Sequence, residues 1–262
     1  MSPSNPTALS DPFEVAHIDL PVSSPFLGRI TLLASCTSTQ DILRTQLPPP
    51  PAVLAAEIQT AGHGRQGKAW ISEKPLGLWV SLLLEVPPDR LPVLSLLGSL
   101  AVADAVHSLT GVSPSLKWPN DLLLQNRKLA GLLVETVSRK NLPPLALLGL
   151  GLNLHQQTGD FPPELQSSAI SLLQATGQTV PRTRMLAAFL NNFLLRLDRP
   201  LPESMNGWRK ACPQIGQPVT VRTGTETIHG VADNLDDSGH LYIRLPDGTH
   251  RILASGETDF PA

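Results

Sequence analysis

Residues 117–135 read KWPNDLLLQNRKLAGLLVE. Two apolar runs, DLLLQ and LAGLLVE, flank the pair Gln125–Asn126, a pattern that predicts a β-hairpin. A cation, an indole, an amide and a carboxylate precede its first strand, and Arg127 and Lys128 follow its turn. A lysine is a compact, strongly hydrated charge, costly beside a buried apolar strand unless an anion meets it. Lys128 is therefore either a solvated hairpin tip or one half of an anion contact. Gly131 removes a side chain where a ligand could touch backbone. Asn120 and Asp121 could hold Mg2+ or simply make a turn.

Outward from the hairpin, residues 30–154 alternate short apolar runs with turn signals: RITLLAS, PAVLAAEI and GLWVSLLLEV before it, LALLGLGLNL after it. Such alternation with a few helices inserted predicts an α+β domain on a mixed sheet. Ser38 and Asp41 in STQD form a helix start, the hydroxyl capping free amides and the acid favouring the positive end. A short helix is expected through Ile42–Thr45, ended by LPPPPA. Residues 91–109, LPVLSLLGSLAVADAVHSL, resemble a membrane span in composition, but Pro92, Asp104 and His107 interrupt them. Leu94, Leu97, Ala101, Ala105 and Leu109 fall at helical spacing, which suits a core helix better. Met185, Leu186, Phe189, Leu190, Phe193, Leu194 and Leu197 make the apolar stripe of a helix over 183–198.

After Pro213 the period changes to two, in VTVRT, HGVAD, HLYIRL and THRIL, with turns at DDSG and PDG. Four or five short strands in this stretch predict a small β-barrel. The expected division is a flexible arm over 1–27, a main domain over 28–212 and the barrel over 213–262.

Residues 62–67, GHGRQG, match G-x-G-x-x-G after an apolar run, with Glu85 downstream. A dinucleotide site needs a helix next, and KAWISEKPLG, with Trp70, Pro75 and Gly77, offers none. The loop has two remaining readings. Its glycines let amides approach an anion while Arg65 and Lys68 supply charge, or it is a surface loop with glycines for its turns.

A formal net charge of −2 and a pI near 6.4 give no general footprint for nucleic acid or an anionic membrane. Cys36 and Cys212 lack metal-ligand spacing and read as free thiols of a reducing compartment, the cytoplasm. The N-terminus lacks the basic start and apolar run of a signal peptide.

STQD, AEIQTAGHGRQGKAW, KWPNDLLLQNRKLAGLLVE and GLGLN, in this order and followed by a barrel opening GQPVTV, resemble the biotin–protein ligases over about residues 28–260. The resemblance implies a mixed sheet with helices on one side, related to class II aminoacyl-tRNA synthetases, and an SH3-like C-terminal barrel. It implies that biotin and ATP with Mg2+ give biotinyl-5′-AMP, whose acyl group passes to a lysine of a biotin carboxyl carrier protein domain. Lys128 and Arg65 would be the catalytic cations. Ser38, Thr39 and Gln40 would line the biotin head-group site with Gln59, under a covering loop that includes Gly62, His63, Gly64 and Arg65. Gly131 would offer a backbone contact to biotin. Trp118 would stack on adenine, Asn120 and Asn153 would lie near the nucleotide with Arg65 and Lys128, and Asp121 would stand on the metal side.

The family's loop commonly reads GRGRxGR, and here His63 and Lys68 replace two arginines. Neutral histidine cannot make bidentate phosphate contacts, so weaker retention of the adenylate is expected. Some members carry an N-terminal helix-turn-helix. About 28 residues precede the first core strand here, with five prolines and no paired amphipathic helices, so a ligase without DNA binding is expected. A homodimer through sheet edges is compatible with the family. The alternatives are a lipoate–protein ligase, a non-catalytic biotin-binding relative and, on the loop alone, a nicotinamide-dependent oxidoreductase.

Overall fold

The structure is a computed structural model describing Asp11 and residues 13–260. Its larger sheet contains β1 (Ile30–Cys36), β2 (Ala52–Gln59), β3 (Gly77–Leu84), β4 (Ser115–Lys117), β5 (Asp121–Leu124), β6 (Arg127–Arg139) and β7 (Leu142–Asn153). Their order is β1-β2-β3-β7-β6-β5-β4. Only β1 and β2 run parallel; every other neighbouring pair is antiparallel, so the sheet is mixed.

Alternate residues of the central strands divide its faces, as the two-residue side-chain period requires. Leu78, Val80 and Leu82 of β3 and Leu148, Leu150 and Leu152 of β7 join the main core beneath α2 (Leu94–Thr110) and α4 (Arg182–Asp198). The opposite face carries α1 (Thr39–Gln46), where Leu43 packs on Leu54, Leu83 and Leu147. Helices therefore lie on both faces: two long ones cover the core and one short one stands beside the cleft described below.

The membrane-like stretch begins with a 3-10 turn, Leu91–Val93, and continues as α2, whose residues are buried almost all round. Its apolar composition is explained by that position. Asp104, the charge that breaks the stretch, receives two bonds from Arg196 of α4 at 2.7 and 2.8 Å. Helix α4 buries Met185, Leu186, Phe189, Leu190 and Phe193, the expected stripe. Of two further helices, α3 (Leu172–Thr176) precedes α4 and α5 (Leu201–Ala211) leads to the second sheet.

That sheet comprises β8 (Pro218–Arg222), β9 (Thr227–Leu235), β10 (Leu241–Arg244), β11 (His250–Leu253) and β12 (Glu257–Asp259). It is antiparallel in the order β11-β10-β9-β8-β12, in keeping with a small SH3-like unit. Val219, Val221, Leu235, Leu241 and Ile243 belong to the same apolar cluster as Leu116, Trp118, Met205 and Trp208. The two sheets thus share one core.

The expected arm over 1–27 needs correction. Residues 1–10 and 12 lie outside the described residues, and the remainder is packed, with Phe13, Ile18, Leu20 and Phe26 in the main core. Asp11 accepts from Arg182 Nε at 2.9 Å and from the Arg182 backbone amide at the start of α4. Widely spaced apolar residues between prolines conceal a strap that follows the surface without a repeating period.

Candidate active site

The β5–β6 hairpin places the first functional side chain. Gln125 and Asn126 have φ of 51° and 59°, as a two-residue turn matched to strand twist requires. Leu122 pairs with Ala130 but Leu123 pairs with Lys128, so Leu129 is an extra residue on β6. This β-bulge sends Leu129 into the core and lets Lys128 face the other way. The backbone of Lys128 is held from both sides: its amide donates to Ser168 O at 2.7 Å and its carbonyl accepts from Ile170 N at 3.0 Å. Its Nζ lies 2.8 Å from Asp121 Oδ1, and Asp121 Oδ1 has no well-aligned hydrogen bond. The same Nζ is 5.4 Å from the centre of a Trp70 ring.

The cleft floor is the face of the larger sheet opposite α2 and α4. In GLGLN the leucines enter the core, while Gly149 and Gly151 leave the other face bare. A Cβ at Gly151 would collide with the Trp70 indole, and one at Gly149 with Gln40 Oε1. Both glycines are required by close approach. Ser38 caps α1 by accepting from Asp41 N at 3.4 Å, which brings Thr39 and Gln40 to the floor. Thr39 donates through N at 2.8 Å and through Oγ1 at 3.1 Å to Gln59 Oε1, and its hydroxyl lies 2.8 Å from Ser81 Oγ. Gln59 Nε2 in turn donates to Ser72 Oγ at 3.2 Å.

The glycine loop forms the rim. Gly64 N donates to Lys68 O and Trp70 N to Gly62 O, closing a tight excursion with no crossover helix. Arg65 Nη1 donates to Asn120 Oδ1 at 3.2 Å and to Gly256 O at 3.0 Å. Burial lowers the Arg65 pKa, while Asp121 and Glu257 oppose that shift; a guanidinium nevertheless stays charged. Lys68 pairs with Glu257 at 2.6 Å, so the start of β12 and the residue before it, Gly256, hold the loop at two positions. The resulting cleft, of about 340 Å³, is lined both by the hydrogen-bonding groups of Ser38, Thr39, Gln40 and Gln59 and by Lys128 and Arg65, two cations that share Asp121 as a neighbour. It can take a ligand with a polar ring, an apolar middle and an anionic end.

Residues 32–153 match the biotin/lipoate A/B protein ligase family, and residues 214–260 match the biotin protein ligase C terminal domain. The chain is 34% identical over 223 residues to the biotin–[acetyl-CoA-carboxylase] ligase of Mycobacterium tuberculosis, covering 78% of this chain and 77% of that one. It is 31% identical over 234 residues to the bifunctional ligase/repressor BirA of Bacillus subtilis, covering 86% and 71%. This chain belongs to the biotin–protein ligase family. Its structure resembles the Aquifex aeolicus biotin protein ligase in complex with biotin and ATP, with TM-score 0.79 and 28% identity over 89% of this chain and 98% of that one.

Most of the residues that the family resemblance singled out line this cleft: Ser38, Thr39, Gln40 and Gln59 at the floor, and His63, Gly64 and Arg65 at the rim. Asn120, Asp121, Lys128, Gly131 and Asn153 also line it. Gly62 stands behind, where a Cβ would meet Ser72 Oγ and Trp70 O. His63 turns towards α1, with Nδ1 3.7 Å from Asp41 Oδ2.

Trp118 also lines the cleft and is tied to the second sheet. Its ring is 2% exposed, its Nε1 donates to Gly239 O at 3.1 Å, and Gly256 packs against it. The turn at Gly239 therefore holds the indole N–H, while Trp118 itself stays among the residues that line the cleft. Asn153 Nδ2 donates to the carbonyls of Ile170 at 3.3 Å and Lys128 at 3.5 Å, so this amide braces the bulge. The residues the sequence reading missed are Trp70, Ser81 and a wall from 161–170 that contributes Phe161, Leu165, Ser168 and Ala169. Trp70 stood inside a quoted motif, at the end of GHGRQGKAW. The wall gave no periodic signal, because its bonds to Lys128 join segments forty residues apart.

Proposed function

We propose that this chain attaches biotin to the carrier domain of a biotin-dependent carboxylase in two steps through biotinyl-5′-AMP. The observation that carries this reading is that Lys128 and Arg65, both neighbours of Asp121, line the same cleft as the hydrogen-bonding groups of Ser38, Thr39, Gln40 and Gln59. A biotin carboxylate oxygen attacks the α-phosphorus of ATP, the bond to the β-phosphate breaks and pyrophosphate leaves. The carrier's lysine amine then attacks the acyl carbon, loses a proton and releases AMP.

Lys128 lies where negative charge grows as phosphorus becomes pentavalent, so a fixed cation there stabilises the transition state more than the substrates. Its ion pair with Asp121 is exchanged for the substrate anions. Arg65 acts from the loop on the same carboxylate and phosphate. Trp70 walls the cleft beside Lys128 and excludes water from the reacting atoms. Among the described residues no three carboxylate, histidine or cysteine side chains converge as a metal cage. Mg2+ usually takes one or two carboxylates and completes its shell with phosphate oxygens and water. The buried Asp121 Oδ1, without an aligned donor, fits that part, and the ion would neutralise phosphate charge there.

The second sheet is assigned to holding the covering loop through Gly256 and Glu257. The edge of β1, paired only to β2 among the described residues, is the docking strand for the carrier domain or a second copy. The free thiols Cys36 and Cys212 support work in a reducing cytoplasm.

The test incubates the protein with MgATP and either biotin or lipoate and identifies the acyl-adenylate by mass spectrometry. Biotinyl-AMP is expected, and lipoyl-AMP alone, or no adenylate with either acid, would overturn the reading.

A further inference from the structure

We infer that Glu135 makes the cleft floor select a ring N–H donor, acting through Gln40 as a positioning residue. The inference rests on the biotin-ligase reading and extends it to a residue outside the ligand-lining set. Gln40, 5% exposed, sits in the first turn of α1 and donates through Nε2 to Glu135 Oε2 at 2.6 Å. Arg44 Nη2 donates to the same oxygen, and Arg44 Nη1 donates to Asp41 Oδ1 at 2.9 Å. Glu135 shares the cleft face of β6 with Gly131 and Leu133 and lies opposite Leu147 of β7.

A carboxylate paired with a guanidinium accepts hydrogen bonds and cannot donate them. The amide of Gln40 is therefore fixed with its nitrogen towards Glu135 and its oxygen over Gly149, where a Cβ would collide with it. Rotating that amide would set two acceptors against each other. Among the described residues nothing donates to Gln40 Oε1, whereas Gln59 Oε1 is already taken by Thr39 N and Oγ1. The floor thus presents a pinned, open acceptor. Biotin's fused ring carries two ureido N–H groups, while the dithiolane of lipoate carries none. Discrimination arises because a polar group left unpaired in a closed site is disfavoured more strongly than a pair is rewarded.

The test measures pyrophosphate release with biotin and with its two cyclic carbamate analogues, in each of which one ureido N–H is replaced by oxygen. Wild type is expected to show a KM about tenfold higher for one analogue than for biotin. In Glu135→Gln the new amide can donate or accept, so Gln40 is free to turn. Its KM for biotin should rise about tenfold, with kcat within about twofold, and the preference for biotin over that analogue should fall to about twofold or less. The preference is a ratio within one protein, so partial unfolding cancels from it. Gln40→Leu should lose the same preference, and adding Glu135→Gln to it should change the ratio no further. A preference kept intact in Glu135→Gln, or a loss confined to kcat, would overturn the role of Glu135. Absence of biotinyl-AMP from wild type would instead remove the ligase reading on which the inference stands.

Discussion

Lys128 was legible as a charge in an awkward place, because a lysine beside an apolar strand needs an anion. The bulge at Leu129 that aims it was not legible, since one extra residue in an alternating run is indistinguishable from an imperfect strand. Removing the amine by Lys128→Ala should lower the rate of biotinyl-AMP formation by about 10²–10³ in single turnover. Biotin binding measured by calorimetry should weaken far less, because Ser38, Thr39, Gln40 and Gln59 keep their hydrogen-bonding groups in the cleft. The tie that Trp118 makes was not legible, because the carbonyl that takes its N–H, Gly239 O, lies 121 residues further along the chain. His155 went unnoticed as a lone histidine. It is 2% exposed, its Nε2 donates to Val180 O at 2.8 Å, and burial, against the opposing effects of that carbonyl and Asp11, pushes its pKa below the ordinary histidine value. The unfolded chain takes up this proton near pH 6.5 and the folded chain resists it. This contribution to stability is therefore complete above about pH 6.5 and is lost as pH falls through the lowered folded value. The urea midpoint should drop between pH 7.5 and 5.5, and His155→Gln should reduce that drop.

At the level of elements, α1, α2, α4 and the β5–β6 hairpin follow from capping, helical spacing and turn chemistry, which act over a few residues. The strap ahead of β1 and the 161–170 wall do not, because their conformations are set by surfaces that other segments provide. The bare strip of β7 lies between these cases: GLGLN shows alternation, but which neighbour needs the space is known only in three dimensions. Gly151→Ala should displace Trp70, lower the melting temperature and weaken biotin and ATP binding together. Adding Trp70→Leu should recover part of the lost stability without recovering binding, giving a double-mutant cycle with clear non-additivity. Additive melting shifts would show that the indole does not fill that space.

Across the whole molecule, the change of period after Pro213 announced a second unit of four or five strands, of which the structure has five, and the sequence pattern carried no sign that its core is continuous with the first. A continuous core favours one cooperative transition. Calorimetry should show a single unfolding peak, and deletion of residues 214–262 should expose Trp118 and Trp208 and leave a chain that binds neither ligand tightly. Two separable peaks would contradict this. The tie between Trp118 and Gly239 has a consequence for building hybrids. The indole bonds to a backbone carbonyl, in the turn where Asp236 Oδ1 accepts from Ser238 N and His240 N. Gly239 there has φ +81°, and a Cβ would press on Leu96 of α2. A C-terminal unit grafted from a distant relative would be accepted or rejected on the path of that one turn, so overall similarity between donor and host would be a poor guide to which chimaeras fold.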